Sequence, residues 1–220
     1  MTDKTPLTSI ERIGIDESGK GDYFGPLVIA AVFVDAITQG ELTLMNVRDS
    51  KKISDGRILE MAPDIRMLCP HSIIAIGPQR YNELYAKIRN LNRLLAWGHA
   101  KALETLLEKV SCGRAIADQF GDERLIVNAL QEKGRTIVLE QRPKAETDLA
   151  VAAASILARA EFLLRLKRLS DEIGTTLPKG ASPAVELAGR MIVKKYGEER
   201  LRLIAKLHFK TTQAVLGTIG

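Results

Sequence analysis

Apolar positions open the chain in two runs: Arg12 to Asp16, and Pro26 to Asp35, where PLVIAAVFVD puts β-branched and small residues on both faces. Short runs of this kind predict strands, the second buried on both sides. The glycine-rich SGKGDYFG between them is too short for a crossover, so the pair is expected to form an antiparallel hairpin. From Asp35 to Ser54 the chain is polar and reads as turns. Helical spacing then covers Asp55 to Leu68, and HSIIAIG, His71 to Gly77, predicts a third strand. Helices follow over Pro78 to Asn90 and Asn92 to Val110, the latter with Leu94, Leu95, Ala102, Leu103, Leu106 and Leu107 as its apolar stripe. Strand Arg114 to Phe120, helix Asp122 to Lys133 and strand Arg135 to Glu140 imply a parallel crossover. A long helix begins at Asp148, and beyond TTLPKGASP two amphipathic helices are expected at Ala184 to Tyr196 and Glu198 to His208. The pattern predicts an α/β domain with one central mixed sheet and a helical tail.

The 220 residues, 45% hydrophobic and 27% charged, are enough to bury a core without disulfides or a structural metal. Cys69 and Cys112 lie far apart and form no CxxC pair, which fits small buried residues in a reducing cytoplasm. The N-terminal residues hold no apolar signal core, and the longest apolar run, Leu149 to Ala158, is too short for a bilayer, so no membrane partner is expected. A net charge of +5 suits a polyanion, as it suits many enzymes of small anions. With aromatics at only 5%, stacking on unpaired bases is disfavoured against a mode that follows the sugar-phosphate backbone.

The richest segment is GIDESGKGDYFGP, Gly14 to Pro26. Gly14, Gly19 and Lys20 match the first part of a phosphate-cradling GxxxxGK loop, but the next residue is Gly21 rather than Ser or Thr, and Asp16 and Glu17 would repel the phosphates inside the cradle. Adjacent carboxylates at a strand end followed by glycines suit divalent ions beside a phosphodiester; a solvated hairpin turn accounts for this segment equally well. More acids stand at element ends: Asp118 closes its strand, and Glu146 and Asp148 precede the Ala-rich helix. Four converging carboxylates could hold two hard ions ~4 Å apart, as in-line phosphoryl displacement requires. The small VAAAS, Val151 to Ser155, would let that helix lie close to the sheet.

DESGKGDYFGP (Asp16 to Pro26), RDSKKIS (Arg48 to Ser54), KAETDLAVAAASILAR (Lys144 to Arg159), LPKGAS (Leu177 to Ser182) and AKLHFKTT (Ala205 to Thr212) together resemble the motif set of the type 2 ribonucleases H. The GKGDYFGP and AKLHFK forms are more similar to ribonuclease HIII than to ribonuclease HII. The resemblance runs from about Ile13 to Thr212 in the expected order. It implies a ribonuclease H-like fold, with a central mixed five-stranded sheet flanked by helices and a helical C-terminal part from about residue 170. It implies a monomeric endonuclease that cuts the RNA strand of RNA/DNA hybrids with two Mg²⁺ or Mn²⁺ ions, leaving 3'-hydroxyl and 5'-phosphate ends. The alternatives are ribonuclease HII-like incision at single ribonucleotides in duplex DNA, and a non-catalytic hybrid-binding module. Ribonucleases HIII usually carry an N-terminal substrate-binding domain; residues 1–220 are expected to form the catalytic domain alone.

Carried onto this sequence, the resemblance makes Asp16, Glu17, Asp118 and Glu146 the catalytic, metal-holding acids, with Asp148 as the substitute for Glu146. Ser18, Gly19, Lys20 and Gly21 match the loop that reads RNA 2'-hydroxyls through its backbone. Ser50, Lys51 and Lys52 match a phosphate-gripping segment, and Arg142, Lys144 and Ser155 fall beside the site. His71, His99 and His208 show no ligand spacing and are expected to be structural. Tyr196, in KKYGEE, does not match the context of the tyrosine with which ribonucleases HII stack at RNA-to-DNA junctions.

Overall fold

The computed structural model describes residues 10–118, 124–130 and 136–217. Strands β1 (Arg12–Ser18) and β2 (Leu27–Val34) form the expected antiparallel hairpin. β2 pairs antiparallel with β3 (His71–Ile76); on its other side β1 pairs parallel with β4 (Arg114–Asp118), and β4 with β5 (Val138–Arg142). The result is one mixed five-stranded sheet, ordered β3-β2-β1-β4-β5.

Side chains alternate across the sheet, and each face receives its own helices. Ile13 and Ile15 of β1, with Leu27, Ile29 and Ala31 of β2, pack on the face covered by Leu94, Leu95 and Leu103. Those leucines belong to α4 (Leu91–Leu107), which follows α3 (Pro78–Ile88). Val28, Ala30 and Val32 point the other way, into a core built with α2 (Asp55–Leu68) and the 25-residue α6 (Leu149–Ile173). The Ala-rich start of α6 lies so close to β1 that a Cβ at Gly14 would come within 2.1 Å of the Ala150 carbonyl carbon. Only glycine permits that approach, and it holds the N-terminus of α6 beside the strand that ends in Asp16 and Glu17.

Three expectations are corrected. The stretch after Asp35 contains a helix, α1 (Ala36–Leu44), started by a capping box in which Asp35 and Thr38 satisfy each other's backbone N–H groups. The fifth strand runs from Val138 to Arg142, later than predicted, because its register is set by pairing with β4. The expected Glu198–His208 helix stops early: α8 (Glu199–Ile204) gives way to extended backbone where Ala205 bridges Phe24, and α9 (Lys210–Leu216) follows α7 (Pro183–Tyr196) and α8. Of the predicted Asp122–Lys133 helix, α5 (Arg124–Ala129) is seen; residues 119–123 and 131–135, including the end predicted for the fourth strand, lie outside the described residues. Among the described residues no helix is long and apolar enough to cross a membrane.

Candidate active site

Parallel pairing of β1 and β4 places Ile15 opposite Ala117, so the next residues along the two strands are Asp16 and Asp118. Both carboxylates leave the sheet on the α6 face, at the C-terminal ends of neighbouring parallel strands. Glu17, one residue on, starts from the opposite face. All three line a cleft of about 610 Å³ whose walls include Ser18, Gly19, Lys20, Gly21 and Asp22, then Ser50, Lys51 and Ile53, with Asp55 and Arg159 at the rim.

Asp16 is deeply set, and burial together with the neighbouring Glu17 charge holds its carboxyl well above the ordinary range. Burial pushes Glu17 upward too, but a hydrogen bond from His99 and the charges of His99 and Lys20 outweigh it, so Glu17 sits below its ordinary value. Lys51 is raised: partial burial alone would lower it, but the charges of Asp16, Asp49, Glu146 and Asp118 dominate. The charges of three of the four predicted acids therefore act on one lysine. Among the described residues no group of three His, Cys, Asp or Glu side chains is already closed as a metal site. The donor chemistry nevertheless fits hard divalent ions, which take carboxylate oxygens and relieve the crowding of negative charge that raises Asp16.

The two candidates for the fourth acid separate cleanly. Glu146 sits in a short 3-10 turn, Ala145–Thr147, whose Ala145 N–H reaches Asp118 Oδ1 at 3.5 Å. Asp148 caps α6 by accepting from Ala150 N–H at 2.8 Å and accepts from Arg12 Nε at 2.7 Å. With its oxygens so engaged, Asp148 ties β1 to the start of α6; neither it nor Glu146 is among the residues that line the cleft, and Glu146 is the one whose charge acts on Lys51.

The glycine loop takes its shape from two residues. Gly19 has φ +87° and would place a Cβ 2.2 Å from the Pro26 carbonyl oxygen, so it admits no side chain. Lys206, fully buried, donates from Nζ to the carbonyls of Asp22 at 2.6 Å and Gly25 at 2.8 Å. Burial pushes this amine down to about 7. Gly180 N–H donates to Asp22 Oδ1 at 2.7 Å, tying in LPKGAS as well.

The remaining predicted residues divide. Ser50 and Lys51 lie in a 3-10 turn, Ser50–Lys52, capped by Asp49, and Lys52 is exposed beside them. Ser155 does not reach the cleft: it is buried, donates its hydroxyl to Ala152 O and accepts Ser50 N–H at 3.0 Å, supporting the lysine turn from behind. Arg142 pairs with Glu140 at 3.2 Å and approaches Asp148 at 3.8 Å, and Lys144 is exposed outside the cleft walls, so neither lines the site. Pattern reading missed Asp22, Ile53, Asp55, Arg159 and above all His99. Asp22, Ile53 and Arg159 lay inside the motifs and Asp55 directly follows one, but the pairing of Asp55 with Arg159 at 3.1 Å is a tertiary contact.

The sequence profile of the family described as ribonuclease HII matches residues 13–212, nearly the whole chain. Fold, carboxylate placement and profile together define a type 2 ribonuclease H, a ribonuclease H enzyme. Relatives narrow this. Ribonuclease HIII of Protochlamydia amoebophila (strain UWE25) is 50% identical over 218 residues, 98% of this chain and 72% of the relative, and that of Chlamydia pneumoniae is 48% identical over 91% of this chain and 68% of the relative. A crystal structure of Bst-RNase HIII in complex with Mn²⁺ superposes with TM-score 0.89 at 35% identity, covering 96% of this chain and 70% of that one. Ribonuclease H2 from Pyrococcus horikoshii OT3, at 22% identity and TM-score 0.77, shares the fold. The chain belongs to the ribonuclease HII family and, within it, to ribonuclease HIII.

Proposed function

We propose that this chain hydrolyses the RNA strand of RNA/DNA hybrids endonucleolytically, with divalent ions held by Asp16, Glu17, Asp118 and Glu146, leaving 3'-hydroxyl and 5'-phosphate ends. The observation that carries the reading is the side-by-side placement of Asp16 and Asp118 at the ends of β1 and β4, with Glu146 brought to the same lysine as both. Mg²⁺ or Mn²⁺, when bound, supplies Lewis-acid stabilisation of phosphoryl charge and a water acidified enough to act as nucleophile. The protein's own groups do the rest. Lys51 and Lys20, both lining the cleft, attract the phosphates of the hybrid. Backbone groups of Ser18 to Gly21, freed of side-chain bulk at Gly19 and Gly21, come close enough to meet ribose 2'-hydroxyls. No covalent enzyme intermediate is needed, and among the described residues no serine or cysteine paired with a base lines the cleft.

The test is an end-labelled RNA/DNA hybrid incubated with the protein and Mg²⁺ or Mn²⁺. Internal cuts in the RNA strand, abolished by EDTA and yielding 5'-phosphate ends, are expected. Absence of cutting with both ions, or 2',3'-cyclic phosphate ends, contradicts the reading.

A further inference from the structure

His99 carries no ligand spacing in the sequence, yet it is the one histidine that meets the site. It sits on α4, on the sheet face opposite α6, and its side chain is fully buried. Its Nε2 lies 3.0 Å from Glu17 Oε2. A carboxylate only accepts, so the imidazole N–H is the donor. Alternation along β1 explains the contact: Asp16 leaves the strand toward α6, and Glu17 leaves it toward α4, with Ile13 and Ile15. To serve a site formed by Asp16 and Asp118, the Glu17 carboxylate has to stay at the strand end rather than turn down over α4. His99 fills the space below it and fixes one oxygen. Lys20 Nζ approaches the other, Oε1, at a looser 3.5 Å, from a side chain still 39% exposed. The neighbouring Gly98 lets α4 pack close to β2, since a Cβ there would come within 2.6 Å of Ile29 Cδ1.

We propose that His99 is a positioning residue that orients Glu17 from the far face of the sheet, leaving Glu17 Oε1 to face the cleft and the divalent ion. The proposal rests on the assignment of Glu17 as a metal-holding acid. Partners that orient metal ligands are worth roughly 10–100-fold in affinity or activity when removed, and a hydrogen bond to a buried carboxylate is the kind that sets such an orientation.

The test uses the whole chain with His99→Leu, which keeps the buried volume, and His99→Gln, whose amide N–H can reach the same oxygen. Mn²⁺ binding to the free protein is measured by titration calorimetry, and kcat and KM on an RNA/DNA hybrid are measured separately. His99→Leu is expected to weaken Mn²⁺ binding and lower kcat by about 10–100-fold with KM unchanged, and His99→Gln to recover most of both. In a Glu17→Gln background, His99→Leu should cost no further Mn²⁺ affinity. Wild-type Mn²⁺ affinity in His99→Leu, an equal loss in the Glu17→Gln background, or no recovery with a folded His99→Gln would each overturn the proposal. A wild-type protein that cuts no hybrid would instead overturn the functional reading on which it rests.

Discussion

Arg12 holds Asp148: the guanidinium Nε at the start of β1 donates to both carboxylate oxygens, at 2.9 and 2.7 Å, while that carboxylate also caps α6. Strand β1 ends in Asp16 and Glu17, and the turn just before α6 carries Glu146. One ion pair therefore locks together the two segments that carry three of the four candidate acids. Both partners are nearly buried, with side chains 9% and 12% exposed.

The first prediction separates the two acids that sequence could not. Asp148→Ala removes an N-cap and strands a buried guanidinium, for a loss of about 3 kcal/mol, or roughly 10 °C in melting temperature for a chain of this size. Glu146→Gln should leave melting unchanged and lower kcat by at least about 100-fold, as expected when a metal-holding carboxylate becomes a neutral amide. Thermal melts and single-substrate kinetics on both variants check this; a reversed pattern would make Asp148 the fourth acid.

The turn Ser50–Lys52 predicts a salt effect. Lys51→Ala with Lys52→Ala should weaken hybrid binding and flatten the slope of log affinity against log salt by about 1 for each phosphate that is no longer neutralised. Filter binding across a salt series in EDTA measures it, and an unchanged slope would place these lysines off the duplex.

Lys206 predicts a pH dependence of stability. Its folded pKa is pushed down to about 7 by burial, whereas in the unfolded chain a lysine titrates near 10.4. Above pH 7 the unfolded state thus binds more protons at this site, and stability rises with pH by up to about 1.4 kcal/mol per unit. The neutral amine retains two N–H donors for the two carbonyls it meets. His208, pushed down to about 4, has nearly finished titrating in both states by pH 7.5, while Cys69, pushed up to about 11, and Cys112, also pushed up by burial, work in the opposite sense as the pH approaches ~8.5, where an unfolded thiol titrates, and offset part of the rise at the top of the range. Urea denaturation between pH 7 and 8.5 should show the rise in the wild type, and Lys206→Met should remove it. A parallel rise in both proteins would contradict the assignment.

Substrate choice follows from the glycine loop. Tyr196 donates its hydroxyl to Ile173 O at 2.9 Å, and Tyr23 is buried with its hydroxyl 3.2 Å from Thr212 Oγ1, so neither lines the cleft. On the proposed reading, in which the loop backbone meets the 2'-hydroxyls of several residues, a continuous hybrid should be cut about tenfold or more faster than a duplex with one ribonucleotide, the worth of a single hydrogen bond. Turnover on the two substrates at matched salt decides; equal or faster cutting of the single-ribonucleotide duplex would indicate ribonuclease HII-like behaviour.

The hairpin, the parallel crossover and the Ala-rich helix were legible because their apolar periods match their burial on one or both faces. Helix α1 was missed because its signal is a cap, Asp35 with Thr38, ahead of a weakly apolar stretch. The acids at strand ends could be read in line with their strands, but the fate of Asp148 depended on Arg12, 136 residues away. His99 stayed hidden for a related reason. In the sequence it is one more buried position on a leucine-rich helix, and its link to Glu17 spans 82 residues and arises only when α4 packs under β1. Ser155 could be placed near the site but not behind it, since its hydroxyl's partners are set by tertiary packing.

The most direct measurement is the rate of RNA-strand cleavage in a labelled RNA/DNA hybrid by the wild type, Asp16→Asn and Asp118→Asn, run beside hybrid binding in the same buffer with Mn²⁺. The placement of both carboxylates at one mouth of the cleft predicts cleavage by the wild type alone, with hybrid binding by all three within about threefold, because the amides leave the lysine contacts in place. Wild-type cleavage rates in either variant would show that the reaction does not take place between β1 and β4.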